Sequence, residues 1–231
     1  MDIEVLNDSD AVARRAAAVI AADARNAVAK RGIFTIAVSG GKTPWVMLRD
    51  LANEQVPWDQ VHVFQIDERI APAGDPDRNL THLRESLLSH APLRPEQIHA
   101  MPVEADPVQG ALEYTKILEQ FAGKPVMLDL AHLGMGPDGH TASLVPNDPV
   151  LSVTDREVAL TGVYQGRNRM TLTYPVLNRS RKIMWLITGG EKVPMLQRLL
   201  NGDESIPAGR IRRTDALILA DRAAAGKAAS A

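Results

Sequence analysis

Four times along this chain a short run of β-branched and other apolar residues stops at a glycine-rich or charged loop. Residues 33–38 (IFTIAV) run into Ser39-Gly40-Gly41, with Thr43-Pro44 behind them as an N-cap and first-position pair for a helix. Residues 61–66 (VHVFQI) run into Asp67-Glu68-Arg69, and 126–133 (VMLDLAHL) run into a loop holding Gly134, Gly136, Asp138, Gly139 and His140. Residues 183–188 (IMWLIT) run into Gly189-Gly190, ahead of a helix over 191–200. Strand-forming runs that alternate with helical segments indicate an α/β fold, a mostly parallel sheet covered by helices on both faces. In such sheets the loops leaving the carboxyl ends of the strands gather along one edge, where ligands bind. The four loops are therefore predicted to share one cleft.

The remaining pattern fits one domain. After the capping candidates Asp8 and Ser9, residues 10–31 carry Val12, Ala16, Val19, Ile20, Ala27 and Val28 at helical spacing and end at Gly32. Residues 154–174 read as two strands (EVALTGVY, RMTLTYP) joined by a Gly166-Arg167-Asn168 turn, and 216–219 as a last strand. No fixed-period repeat, heptad seam or low-complexity linker divides the chain, so a single α/β domain is expected over 1–222, with 223–231 a frayed tail. A chain of 231 residues that is 45% hydrophobic buries a substantial core. The 26 basic and 28 acidic residues give a formal charge of −2, so no global field draws nucleic acid or an anionic membrane, and any anion must be held locally. The absence of cysteine excludes disulfides, cysteine zinc sites and a thiol nucleophile, and suits a reducing cytoplasm. No apolar run approaches the ~20 residues of a membrane helix, and the acidic start MDIEVLNDSD is unlike a signal peptide, so a soluble cytoplasmic protein is expected.

Each loop has its own chemistry. Gly40 and Gly41 let backbone approach a ligand, and the helix behind them presents unpaired N–H groups, a seat for phosphate or carboxylate together with Lys42 and Thr43. A Walker loop is rejected because the glycine it needs at position 36 is Ile36. After the second strand, Arg69 is suited to a phosphate, with Asp67 or Glu68 orienting it or a substrate hydroxyl. Gly134, Gly136 and Gly139 formally spell G-x-G-x-x-G, but Asp138 brings an anion to where a pyrophosphate would sit and Pro137 removes an N–H, which disfavours a dinucleotide. Asp138-Gly139-His140 reads better as an acid–base unit: an aspartate two residues away fixes the tautomer of an imidazole, which titrates unperturbed near pH ~6.5. His62, His82, His90, His99 and His132 have no such setting and are read as structural. Lys192 opens a helix where its sign opposes the dipole, which points to a bound anion.

Taken together, Ser39-Gly40-Gly41-Lys42-Thr43-Pro44, Asp67-Glu68-Arg69, Gly134-Met135-Gly136-Pro137-Asp138-Gly139-His140-Thr141-Ala142-Ser143-Leu144-Val145-Pro146, Arg169-Met170-Thr171-Leu172-Thr173 and Gly189-Gly190-Glu191-Lys192 resemble 6-phosphogluconolactonase in content and order. The resemblance implies a Rossmann-like sheet that hydrolyses 6-phospho-D-glucono-1,5-lactone to 6-phosphogluconate in the pentose phosphate pathway, without metal or cofactor. It implies catalytic roles for His140 and Asp138, and substrate contacts at Gly40, Gly41, Lys42, Thr43, Asp67, Glu68, Arg69, Gly136, Gly139, Arg169 and Lys192. Lys42 stands where a small residue is common in the family, and Arg78-Asn79 replaces a serine–asparagine pair. The expected partner is the sugar-phosphate lactone alone, with no nucleic acid and no membrane, bound to a monomer rather than a homo-oligomer.

Two other readings compete. Glucosamine-6-phosphate deaminase resembles the same pattern but continues the histidine loop with an asparagine–glutamate pair, and the corresponding positions here are Leu144 and Val145. A non-catalytic sugar-phosphate sensor would use the same anion seats but has no need of the aspartate–histidine unit.

Overall fold

The computed structural model describes residues 1–226; the expected tail beyond Gly226 lies outside the described residues. In chain order the elements are β1 (Asp2–Leu6), α1 (Ser9–Arg31), β2 (Phe34–Val38), α2 (Lys42–Leu51), β3 (Val61–Gln65), β4 (Asp67–Arg69), α3 (Asn79–Leu83), β5 (Ile98–His99), α4 (Pro107–Ala122) and β6 (Leu130–Leu133). There follow β7 (Val158–Leu160), β8 (Arg169–Leu172), α5 (Tyr174–Arg179), β9 (Lys182–Ile187), α6 (Val193–Leu200), β10 (Ala216–Asp221) and α7 (Arg222–Ala225).

Seven strands form a parallel sheet in the order β1-β10-β9-β6-β2-β3-β5. Alternate side chains of each strand feed opposite faces. Trp185 shares one core cluster with Leu118 of α4, Leu177 of α5 and Leu196 of α6, while Met184 belongs to a second cluster with Ile20 of α1 and Leu48 of α2. Helix α1 is set at both ends by local chemistry: Asp8 accepts from the Ala11 N–H at 2.8 Å, and Gly32, at φ 76, sends its N–H back to Val28. Its Ala13, Ala16, Ala17, Ala21 and Ala24 are fully buried, which lets this helix lie close to its neighbours. The chain leaves β2 towards β3 on one side and β6 towards β9 on the other, so the crevice between β2 and β6 is the switch point of the sheet.

The structure also departs from the pattern in places. Asp67–Arg69 is not loop but β4, which pairs antiparallel with β8 in a second sheet of order β4-β8-β7. Ile66 joins the two sheets, donating its N–H to Val38 and accepting from the Leu172 N–H at 2.8 Å. The strands expected over 154–174 lie in this small sheet. Helix α2 starts at Lys42 with Gly41, at φ 134, in the capping position, so Thr43 and Pro44 fall inside its first turn instead of forming the cap. Of 126–133 only the last four residues are strand. The expected helix at 191 is a 3-10 turn over Gly190–Lys192, and α6 begins after it with Pro194 in its first turn. The fraying expected from Ala223 is not seen there: α7 is capped by Asp221 and buries Ala224 and Ala225. The N-terminal DIEVL forms β1, an edge strand parallel to β10 that the sequence pattern did not disclose. Among the described residues no helix is long and apolar enough to cross a membrane.

His132, on β6, sits fully buried beneath the first glycine loop and accepts the Ser39 N–H at Nδ1 (3.3 Å). Burial pushes its imidazolium form down to a pKa of about 3. Its folded value lies below the roughly 6.5 of an unfolded chain, so the unfolded state takes up a proton that the fold refuses, and stability falls as pH drops from about 6.5 towards 3. His132→Asn keeps an acceptor for Ser39 and removes the titration. Urea unfolding at pH 7 and pH 5 is expected to show wild type losing about 2 kcal/mol more between the two pH values than the variant. Equal losses would disprove this account.

Candidate active site

The loops after β2, β6 and β9, with β4 and β8, surround a cleft of about 420 Å³. Ser39 is pinned by its two hydrogen bonds to His132, the second from Ser39 Oγ to the His132 carbonyl at 3.0 Å. Gly40 is required by space: a Cβ there would lie 2.2 Å from Asn79 Oδ1. Thr43 and Thr188 share a hydrogen bond at 2.8 Å between their hydroxyls, which ties the loop after β2 to the loop after β9. No side chain caps α2, so the N–H groups of its first turn are left for a ligand.

On the β6 loop, the Gly136 N–H donates to the His140 carbonyl (2.8 Å) and the Gly139 N–H to the Gly136 carbonyl (3.1 Å), folding the loop so that the His140 ring lies over Gly136. A Cβ on residue 136 would stand 2.1 Å from that ring. His140 Nδ1 is 2.6 Å from Asp138 Oδ1, and Nε2 has no partner among the described residues. Asp138 Oδ2 accepts from the Tyr164 hydroxyl at 3.0 Å. Partial burial works to raise the Asp138 pKa, but the charge and hydrogen bonds of His140, with the Tyr164 hydroxyl, hold it below the usual carboxylate range. Burial and the hydrogen bond to Asp138 push the Tyr164 phenol up, so it stays a donor.

Positive charge gathers at the cleft's other wall. Arg69 and Arg169 face one another as direct partners in the β4–β8 ladder, and both line the cleft. Like charges in such a pair repel. Arg169 is buried with its Nε hydrogen lacking any acceptor among the described residues, and burial lowers its pKa, the Arg69 charge adding to this while Asp67 opposes it. Lys192 joins them at the foot of α6, its only carboxylate partner among the described residues being Glu191 at 3.7 Å. An anion between these three cations would relieve both the repulsion and the missing acceptor. Among the described residues no group of three or more His, Asp or Glu side chains gathers to hold a metal ion.

A family described as glucosamine-6-phosphate isomerases/6-phosphogluconolactonase matches residues 7–219. The chain belongs to this family. It is 38% identical over 195 residues to a 6-phosphogluconolactonase of Synechocystis sp., covering 82% of this chain and 81% of that one. Against the 6-phosphogluconolactonase of Mycobacterium tuberculosis it is 36% identical over 240 residues, with 97% of each chain covered. The crystal structure of the Thermotoga maritima 6-phosphogluconolactonase superposes with a TM-score of 0.85 at 26% identity, covering 95% of this chain and 98% of that one.

The structure brings Gly40, Gly41, Lys42, Thr43, Asp67, Arg69, Gly136, His140, Arg169 and Lys192 onto the cleft of this family member. Asp67 is held by Ser143 Oγ (2.5 Å) and Asn79 Nδ2 (3.1 Å). Two expected contacts fall elsewhere. Glu68 is wholly buried behind the cleft, its carboxylate accepting from the Arg69, Asn79 and Leu80 N–H groups and from Gln65 Nε2, with the Arg78 guanidinium 3.4 Å away. It sets β4 against α3, so a substrate does not reach it. Gly139, at φ 82, packs beneath the loop, where a Cβ would meet Ile206 at 2.8 Å. Arg167 stands outside, paired with Asp75 and Asp77. Asn79 and Ser143, which belong to the family-like motifs without an assigned role, hold Asp67, and Tyr164 carries a site contact that no local pattern marks as functional.

Proposed function

We propose that this chain hydrolyses 6-phospho-D-glucono-1,5-lactone to 6-phosphogluconate, in the oxidative branch of the pentose phosphate pathway, as a cytoplasmic monomer. One observation carries the reading: an imidazole nitrogen without a partner among the described residues lines the same cleft as the cations Lys42, Arg69, Arg169 and Lys192, and its volume of about 420 Å³ suits a phosphorylated six-carbon ring. The names of the relatives support it.

His140 Nε2 takes a proton from water as its oxygen bonds to lactone C1, and the carbonyl pair moves onto oxygen, where backbone N–H groups around the cleft receive the charge. Asp138 holds the ring by Nδ1 and favours the imidazolium that forms. On collapse the bond from C1 to the ring oxygen breaks, and the imidazolium returns its proton to that oxygen. A positioned base contributes ~10²–10⁴ in rate and one oxyanion donor ~10²–10³, sufficient for an activated ester. The phosphate lies among Arg69, Arg169, Lys192 and the first turn of α2, which fixes the reacting end as well as binding it.

The deaminase route needs a carboxylate five residues after the histidine. Here the chain has Val145, next to Leu144, and both are buried in the core. The test is 6-phosphogluconate formation from freshly made lactone against an enzyme-free control, with ammonia release from glucosamine 6-phosphate measured in parallel. Fast lactone opening without ammonia is expected. A lactone trace that overlays the control, or ammonia in the second assay, would overturn the reading.

A further inference from the structure

We propose that Tyr164 is a positioning residue that links the two halves of this cleft, its hydroxyl holding the Asp138–His140 pair and its ring supporting the substrate-binding Arg169. The inference rests on the function proposed above and adds to it a residue outside the glycine and histidine loops.

Tyr164 stands in the turn between β7 and β8. The turn is rigid for its size: the Tyr164 N–H donates to the Arg167 carbonyl at 2.9 Å, Gln165 and Gly166 take φ 51 and φ 80, and Arg167 is anchored by Asp75 and Asp77. The half-buried phenol therefore enters the site from a braced support. Its oxygen is 3.0 Å from Asp138 Oδ2 and 3.3 Å from His140 Nδ1. Nδ1 is already engaged with Asp138 Oδ1 at 2.6 Å, so the single phenolic hydrogen goes to Oδ2. Each carboxylate oxygen then has its own partner, and Asp138 cannot swing without breaking one of them. The Tyr164 and His140 rings meet edge to face at 5.3 Å, which limits ring rotation as well.

The other side of the same ring faces the binding machinery. The Arg169 guanidinium carbon lies 5.0 Å from the Tyr164 ring centroid, and Arg169 Nη2 donates to Gln165 Oε1 at 3.1 Å on the same turn. A buried arginine with an orphaned Nε and another arginine opposite needs a surface that tolerates cations, and an aromatic face supplies one. The two functions of Tyr164 use different atoms, so substitution can separate them.

Tyr164→Phe removes the hydroxyl and keeps the ring. Its kcat is expected to fall roughly tenfold, the lower end for a hydrogen bond to a charged group, with KM within about twofold of wild type. Tyr164→Leu removes both, and is expected to show the same fall in kcat with KM raised a further two- to fivefold, the share of an exposed cation–π contact. Inorganic phosphate, as a competitive inhibitor, should bind Tyr164→Phe as it binds wild type and Tyr164→Leu more weakly by the same factor. A purely structural role would instead move kcat and KM together in both variants. His140→Ala, measured alongside, separates the two claims. If it is inactive while Tyr164→Phe keeps wild-type kcat, or if Tyr164→Phe raises KM as much as Tyr164→Leu does, the positioning role is wrong. If His140→Ala keeps the wild-type rate, the reading of the site beneath it is wrong.

Discussion

Replacement of His140 by alanine is expected to lower kcat for lactone opening by about 10²–10⁴ while KM stays within a few-fold of wild type. The split follows from where the ring sits. His140 Nδ1 is committed to Asp138, and the cations of the opposite wall are on different elements: Arg69 and Arg169 on the small sheet, Lys192 at the foot of α6. None of them is hydrogen-bonded to the imidazole, so its removal leaves the grip on the phosphate intact. Asp138→Ala is expected to lose less in kcat, because the imidazole nitrogen that faces the substrate remains while its orientation is freed. Rates are read by stopped-flow against the spontaneous reaction at the same pH. A His140→Ala enzyme that turns over near the wild-type rate would show that the proton goes elsewhere.

The central strands were legible because each is a compact apolar run closed by a glycine or a charge, and that punctuation also located the cleft. What escaped was decided by partners distant in sequence. Asp67-Glu68-Arg69 looks like a loop because three charged residues in a row have no apolar alternation, yet they pair with β8, and this pairing sets Arg69 opposite Arg169. In the sequence either acidic residue can orient Arg69 or a substrate hydroxyl. Asp67 reaches the cleft and Glu68 points behind it, since adjacent strand residues face opposite ways. β1 is not legible in the sequence because it is an edge strand whose residues are mostly exposed, so burial imposes no pattern on it. Tyr164 lies in a turn next to Gly162 and Gly166, a setting that reads as ordinary hairpin chemistry until the fold brings it to Asp138. The histidine loop is closer to the opposite case: Gly136 is fixed by the His140 ring and Asp138 within the loop itself, so that spacing carries its geometry, whereas the close packing of Gly139 on Ile206 is a contact distant in sequence.

Arg169→Met is expected to raise KM by about 10–10²-fold and at the same time to stabilise the unliganded protein by about 1 kcal/mol. The two effects have opposite signs because the arrangement suits the complex and not the free protein. Without an anion, Arg169 is buried with an unsatisfied Nε, faces Arg69 across the β4–β8 pair, and has its pKa lowered by burial and by that neighbour. Methionine fills a similar volume and removes both liabilities. With an anion bound, a charge-assisted hydrogen bond contributes about 1.5–3 kcal/mol, and it is this term that the substitution forfeits from KM. Lys192→Met should raise KM by a similar factor but leave stability near wild type, since Lys192 is only partly buried and lies beside Glu191. Inorganic phosphate separates the two cases without any turnover: it should raise the melting temperature of wild type in proportion to RT ln(1 + [L]/Kd) and do so much less for Arg169→Met. A wild-type melting temperature indifferent to phosphate, or an Arg169→Met protein both less stable and unchanged in KM, would mean that the facing arginines serve the fold and not a substrate.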